Sequence, residues 1–421
     1  MTTAAARGRR RRVFDGWVVV GAVSVVLLVS GGLGFYGLSV YLKELKDARG
    51  FSVGWVSGAT SLFFVVGGFV GLGIARFIDR RDVRIVIVFG AVVAGASLAL
   101  LGQARELWQL YLADAALAVG YACCFLVPAT TVVTRWFQRR RSVALSIAST
   151  GISVGGLVFT PLATGLIDHL GLDHALAWLR LVWIVTVVPV AFVIWPDPAS
   201  RGEIPDGGVA DATVNDGAMT AAHGGVPYDD AVRSRFFKVL VVAYVLGMTA
   251  QVGGLIHLFN RVSDAVDKTV VGAAILCVAL ASVVFRLIGG VAAARVPLVR
   301  LTVVTFGIQA MALLLVSVGS TSGVLLAGSV LFGATIGNTL MLQPLLLAET
   351  FGVRDYARLY SLSQLLSTLG VAGGPFVIGL LHDVAGGYGV AYVVAAALSV
   401  GAMLTLRTAG PVTQYRAQFA V

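Results

Sequence analysis

Two charged side chains stand where charge is expensive. Arg286 lies in CVALASVVFRLIGG and Asp114 in QLYLADAALAVGYACC, each inside a long run that holds no other charged residue. An arginine in such a run costs several kcal/mol unless it faces a wet cavity or finds a partner. One turn before Arg286 stands Ser282, not a carboxylate. Arg286 is therefore either a ligand-facing cation or a structural one, neutralised by a backbone carbonyl or by Asp114. Asp114 in turn can carry a proton or serve as the counter-ion of Arg286. His257 can change charge near neutral pH, although it lies toward the end of its apolar run. Tyr36, Tyr121, Gln251, Asn338 and Gln364 can hydrogen-bond a ligand or a neighbouring helix, as can Asn260, Gln343 and Ser363. The sequence has no pair of carboxylates with a histidine, no Ser–His dyad and no H-E-x-x-H, which argues against an enzyme. It also lacks the G-x-x-x-x-G-K-[ST] loop that nucleotide-driven pumping needs. No cofactor or metal is expected. Cys123, Cys124 and Cys277 sit in apolar runs without disulfide or zinc spacing and read as small hydrophobes.

Isolated charges of this kind need an apolar frame, and the composition supplies one. Of 421 residues, 58% are hydrophobic and 12% charged, against about 25% charged in a soluble domain. The net charge of +10 would suit a nucleic-acid binder if the basic residues formed one patch. They fall instead in short clusters between apolar runs; RWFQRRR, from Arg135 to Arg141, is one of them. About 20 apolar residues cross the hydrocarbon as a helix. Runs of that kind occupy 17–42, 53–76, 84–103, 107–133, 142–167, 175–195, 237–259, 270–293, 298–319, 322–347, 359–381 and 389–407. They are too long and too uniformly apolar for barrel strands. The basic start, MTTAAARGRRRRVFDG, reads as the lead into a first membrane helix and not as a removed signal. Counted over the connections, Lys and Arg divide 23 to 7 between the two sides, with Arg286 left inside a span. The positive-inside rule then places both termini and the Arg139–Arg141 loop in the cytoplasm, in a multi-pass protein of the inner (cytoplasmic) membrane.

Between the sixth and seventh runs, PDPASRGEIPDGGVADATVNDGAMTAAHGGVPY is poor in large hydrophobes and suits a linker. YDDAVRSRFFK after it reads as a short amphipathic helix. The expected units are an N-terminal six-helix bundle over 1–195, a linker over 196–235 and a C-terminal six-helix bundle over 236–421. The halves look related. A shift of 214 residues lays Phe137 on Phe351, Arg140 on Arg354, Pro161 on Pro375 and Gly165 on Gly379, and a shift of 215 lays Arg80 on Arg295. Pro128 and Pro344 recur in the fourth and tenth runs, and Pro161 and Pro375 in the fifth and eleventh, each permitting a bend. The fold class expected is an all-α membrane protein, twelve transmembrane helices in two six-helix bundles.

Two parallel repeats around a midplane site describe the major facilitator architecture, and three stretches carry a closer resemblance. GLGIARFIDRRDVRIVI resembles the superfamily signature Gly-x-x-x-Asp-Arg-x-Gly-Arg-Arg at Asp79, Arg80 and Arg84, with Ala75 and Asp82 in place of the two glycines. The resemblance implies a cytoplasmic latch between the halves, with Asp79 facing a cation such as Arg135. FDGWVVV is similar, in shortened form at Asp15, Gly16 and Trp17, to the Asp-Gly-x-x-x-Trp opening of the monocarboxylate transporters, and WFQRRRSVALSIASTGISVGG to their fifth-span signature. The neighbouring branch is that of the bacterial oxalate–formate exchangers. This likeness implies that Arg286 binds a substrate carboxylate, which its planar fork matches. The proton-coupled carriers place an Asp where Ser282 stands, and animal carriers a lysine where Tyr36 stands. The exchangers add a lysine in the eleventh span, and none is present here. One fixed cation favours a monoanion, because a second negative charge would be buried unpaired.

The function so implied is secondary active transport of small organic anions, chiefly monocarboxylates, by alternating access with proton symport or anion exchange. The alternatives are a dicarboxylate/monocarboxylate antiporter or a multidrug exporter of the same fold. The partners expected are a small carboxylate, the lipid bilayer and protons, with no nucleic acid, and the protein is expected to act as a monomer.

Overall fold

The computed structural model describes residues 14–51, 53–78, 81–207, 225–266 and 268–410. Among them, twelve helices are long and apolar enough to cross a bilayer. The first half contributes spans one to six: Asp15–Tyr36, Gly58–Ile78, Val83–Gln103, Leu107–Trp136, Arg141–Leu170 and Leu172–Ala191. The second contributes spans seven to twelve: Arg235–Leu258, Gly272–Ala293, Leu298–Val318, Ser322–Phe351, Tyr356–Ala385 and Tyr388–Arg407. The protein is an all-α, multi-pass membrane protein.

The duplication read from sequence has a structural counterpart. Val53 and Lys268, Val83 and Leu298, Leu107 and Ser322, and Arg141 and Tyr356 open corresponding helices, each pair 215 residues apart. Both halves also use one packing device. A Cβ on Gly151 or Gly155 of span five would strike the backbone of Ser24, Leu28 and Gly32 in span one. A Cβ on Gly370 or Gly374 of span eleven would strike the backbone of Val245, Thr249 and Gly253 in span seven. In lipid, where no hydrophobic drive brings helices together, glycines a turn apart allow this close backbone approach.

Span four is the one that breaks. It is helical from Leu107 to Cys124 and again from Leu126 to Trp136, with Phe125 between them at φ −107°, ψ −146°. Pro128 has no N–H for the Cys124 carbonyl one turn back. That carbonyl instead accepts from Ser30 Oγ at 3.1 Å, and the same hydroxyl lies 2.7 Å from Val26 O. Ser30 opens a π-helical stretch, Ser30–Tyr36, in the middle of the first helix. Spans five, ten and eleven run unbroken across Pro161, Pro344 and Pro375, so of the four bends expected only that at Pro128 interrupts its helix.

At the end of the bundle that carries the Arg139–Arg141 loop, the two signature stretches meet. Phe14 and Trp17 pack on Trp136 and Phe137 with ring centroids 4.9–5.7 Å apart. The chain beyond span six folds over this cluster. Trp136 Nε1 donates to Trp195 O at 2.9 Å, and Arg201 pairs with Asp15 at 3.0 Å. Asp206, held at φ 64°, accepts the backbone N–H groups of Gln138, Arg139 and Arg140. Glu203 lies beside Asp15, and its carboxyl is raised above its ordinary range by burial and by the Asp15 charge. The far end of the connection is tied to the matching loop of the second half: Val226 N–H donates to Phe351 O at 2.9 Å and Tyr228 N–H to Asp355 at 3.1 Å. The middle of the expected linker, 208–224, lies outside the described residues.

Candidate functional site

A cavity of about 170 Å³ lies between the two halves, lined by spans one, two, four and five on one side and seven, ten and eleven on the other. The first half gives it an aromatic wall. Phe35 and Tyr36 end the π-helical stretch, Phe63 and Phe64 come from span two, Tyr121 lies one turn before the break in span four, and Phe125 is the break itself. The rings contact one another: Phe35–Phe64 at 6.0 Å, Phe63–Tyr121 at 5.0 Å and Tyr121–Phe125 stacked at 4.3 Å. The second half adds aliphatic side chains such as Met248, Leu255 and Ile336, together with Gln251 and Gln364.

Four expected ligand residues, Tyr36, Tyr121, Gln251 and Gln364, line this cavity; Arg286 and Asn338 stand behind its wall. Arg286 is 1% exposed. Its Nη1 donates to the Ser149 carbonyl of span five, and its Nε has no acceptor. Among the described residues, no carboxylate forms an ion pair with it. Gly337 lets span ten come close, since a Cβ there would stand 3.0 Å from Arg286 Nε. Tyr36, which lines the cavity, lies within electrostatic reach of the guanidinium. Asn338 donates to Ala334 O at 2.9 Å and leaves its Oδ1 buried without a donor beside Gly289.

The span five serines and span eight form a polar seam between the halves. Ser146 Oγ donates to Arg286 O at 2.6 Å, and Ser153 Oγ and Ser282 Oγ are 3.3 Å apart. Gly290 leaves room for Ser146 and Ser142. Ser142, Ser146 and Ser149 lie between the Arg139–Arg141 loop and cavity-lining Ile152, so the halves touch on the basic side of the cavity.

The other expected residues are placed less centrally. Asp114 is fully buried in span four and neither oxygen has a hydrogen-bond donor. Among the described residues it forms no ion pair with Arg286. His257 is held away from the cavity: Nε2 lies 3.1 Å from Pro375 O, which can only accept, and Nδ1 lies 3.3 Å from Tyr388 Oη. It joins spans seven, eleven and twelve. Asp79 and Arg80 lie outside the described residues. Arg84 is used within the first half, donating to Ile194 O at 2.9 Å and pairing with Asp82 at 3.8 Å, so it does not bridge the halves here. Arg135 closes the last turn of span four. The phenylalanines of the cavity wall were not singled out from sequence. The adjacent pairs Phe35–Tyr36 and Phe63–Phe64 were the available signal, because neighbours on a helix point about 100° apart and cannot both face lipid squarely.

A family model described as Major Facilitator Superfamily matches residues 23–262, more than half of the chain. The chain is similar to the oxalate:formate antiporter of Oxalobacter formigenes, 26% identical over 245 residues, covering 57% of this chain and 53% of that protein. It is also similar to monocarboxylate transporter 13 of Rattus norvegicus, 27% identical over 406 residues, covering 93% and 89%. The chain spans about half the length of the first curated relatives that it matches. Among solved structures, the E. coli fucose:proton symporter superposes with a TM-score of 0.70 over 94% of this chain and 99% of that one, at 16% identity. That last likeness is one of fold.

Proposed function

From the premise that the chain belongs to the major facilitator superfamily, a family of transporters and not of enzymes, we propose that it moves small organic monocarboxylates by alternating access, as a proton symporter or an anion exchanger. The observation that carries this is Arg286: a buried guanidinium with no carboxylate ion pair among the described residues, in the seam between the two halves beside, but not lining, the cavity they enclose. A charge left uncompensated in a low-dielectric interior is a strong attractor for the opposite charge. A planar fork of donors suits two carboxylate oxygens. The printed names of two relatives, an oxalate:formate antiporter and a monocarboxylate transporter, agree with that chemistry. A dicarboxylate would bring a second negative charge that nothing in the cavity wall matches. In this reading the two six-helix units, 1–195 and 236–421, rock about the cavity. The Arg139–Arg141 loop and both termini lie in the cytoplasm, and the membrane is the inner one.

The test is uptake of labelled small carboxylates into proteoliposomes, with and without a pH gradient. Arg286→Ala is expected to abolish uptake while the protein still folds and elutes as a single species. Arg286→Lys should retain only a fraction, since an ammonium keeps the charge and loses the fork. Full uptake by Arg286→Ala sinks the reading.

A further inference from the structure

Besides its carboxylate, the substrate must fit two unlike cavity walls. The first observation is size and surface. In a cavity of about 170 Å³, where each water needs about 10–15 Å³, there is room for on the order of ten heavy atoms. A two- or three-carbon acid would leave much of it empty. The wall given by the first half is built from six rings, Phe35, Tyr36, Phe63, Phe64, Tyr121 and Phe125. Rings prefer edge or offset contact with another ring.

The second observation is a hydrogen-bond chain that fixes one polar group. Gln309 Nε2 lies 3.0 Å from Gly247 O and 3.0 Å from Ser399 Oγ. A backbone carbonyl only accepts, so the Gln309 amide must present its nitrogen there and its oxygen to Gln251. That oxygen also only accepts, so Gln251 faces it with Nε2 at 3.1 Å. The second Gln251 proton goes to Thr339 Oγ1 at 3.2 Å, whose own proton is committed to Thr335 O at 2.8 Å. Both amide protons of Gln251 are therefore spent inside the second half. What remains for the cavity that Gln251 lines is Oε1, a committed acceptor. Nearby hydroxyls do not compete for its role: Ser367 and Thr368 donate to Ser363 O and Gln364 O of their own helix.

We propose that the substrate is a hydroxylated aromatic monocarboxylate, with its ring against the aromatic wall, its carboxylate toward Arg286 and Tyr36, and its hydroxyl donating to Gln251 Oε1. This rests on the carboxylate reading above. A site with a fixed acceptor rejects an isostere without the donor, because a buried acceptor is then left unpaired.

The experiment is competition binding in detergent and uptake in proteoliposomes with four probes: 3-(4-hydroxyphenyl)propionate, 3-phenylpropionate, lactate, and the methyl ester of the first. The wild-type protein is expected to rank the hydroxylated acid first, about tenfold above its deoxy counterpart, with lactate weaker than both aromatic acids. Gln251→Leu should erase the preference for the hydroxyl and keep the preference for the ring; Phe63→Ala should do the reverse. Wild-type protein that binds lactate more tightly than either aromatic acid, or does not distinguish the hydroxylated from the deoxy acid, overturns the proposal and needs no variant to fold. In that case loss of binding in Arg286→Gln leaves the carboxylate reading standing. If the methyl ester binds as well as the acid and Arg286→Gln changes nothing, the carboxylate reading falls too, and an exporter of apolar compounds takes its place.

Discussion

At the scale of single residues, the site turns on two buried charges that do not neutralise each other. Arg286 spends one donor on the Ser149 carbonyl, a neutral acceptor that leaves its charge uncompensated. Asp114 has no donor at all. Asp114 lies two turns before the cavity-lining Tyr121 on the same face of span four, and a carboxyl buried in a cavity-lining span is the group on which a proton-carrying role can be tested. Asp114→Asn keeps the shape and removes the ability to carry that proton. It is expected to lower gradient-driven accumulation to the level seen without a gradient, while exchange of labelled for unlabelled substrate continues. Unchanged proton-driven accumulation would remove Asp114 from the coupling path. Both charges were legible in the sequence because each stands alone in an apolar run. Of the aromatic wall only Tyr36 and Tyr121 were, by their hydroxyls; a single phenylalanine facing lipid and one facing a cavity read alike, and only the adjacent pairs Phe35–Tyr36 and Phe63–Phe64 hint at the difference.

At the scale of elements, close approach of backbones does the work that hydrophobic burial does in water. The span one–span five and span seven–span eleven seams depend on Gly151, Gly155, Gly370 and Gly374. With the helix starts Arg141 and Tyr356 aligned, Gly155 falls on Gly370, so the second-half pair stands one turn further along its helix. Gly155→Val would press a branched side chain onto Leu28 O and Gly32 N, which cannot step aside. Overpacking of this kind costs about 1–3 kcal/mol, so a lowered thermal midpoint in detergent is expected, along with slower transport. Gly165→Ala, where an added Cβ meets nothing within 4 Å, should leave both unchanged. A midpoint for Gly155→Val equal to that of the control would show that the seam is looser than the structure draws it. Span number was legible because hydropathy sets it, and so were most span ends, although the first span ends at Tyr36 and not at 42, and the second begins at Gly58 and not at 53. The break at Phe125 was only half legible: Pro128 announced a lost hydrogen bond, but not that Ser30 from another helix would take the freed carbonyl. Proline also failed to break spans five, ten and eleven. A missing bond in a long helix held by neighbours is tolerated.

At the scale of the whole molecule, the two halves meet mainly where span five packs on span eight and span two on span eleven, with smaller contacts of span five on span ten and of span four on span eleven. Gly68 of span two packs against Leu365 of span eleven, and the serine stripe of span five against Arg286, Ser282 and Gly290. Few of these contacts are large and apolar. The polar ones are single hydrogen bonds of Ser146, Ser153 and Arg286, which separate at little cost if water takes their place. That is what a seam that must open requires. It also explains why substrate and seam compete: Arg286 holds Ser149 of the opposite half with the same guanidinium that would meet a carboxylate. If the halves rock apart here during transport, a covalent bond across the seam must stop the cycle. Ser153 and Ser282 offer the site, their hydroxyl oxygens being 3.3 Å apart on opposite halves, and sulfurs at these positions need approach only to about 2.05 Å. In a background with Cys123, Cys124 and Cys277 replaced by alanine, the Ser153→Cys/Ser282→Cys pair should cross-link under mild oxidation. Transport should fall to the protein-free background and return on reduction, while either single cysteine variant stays active. Transport at the reduced rate with the cross-link intact in every molecule would mean that this seam does not part, and that access to the cavity alternates by some other movement.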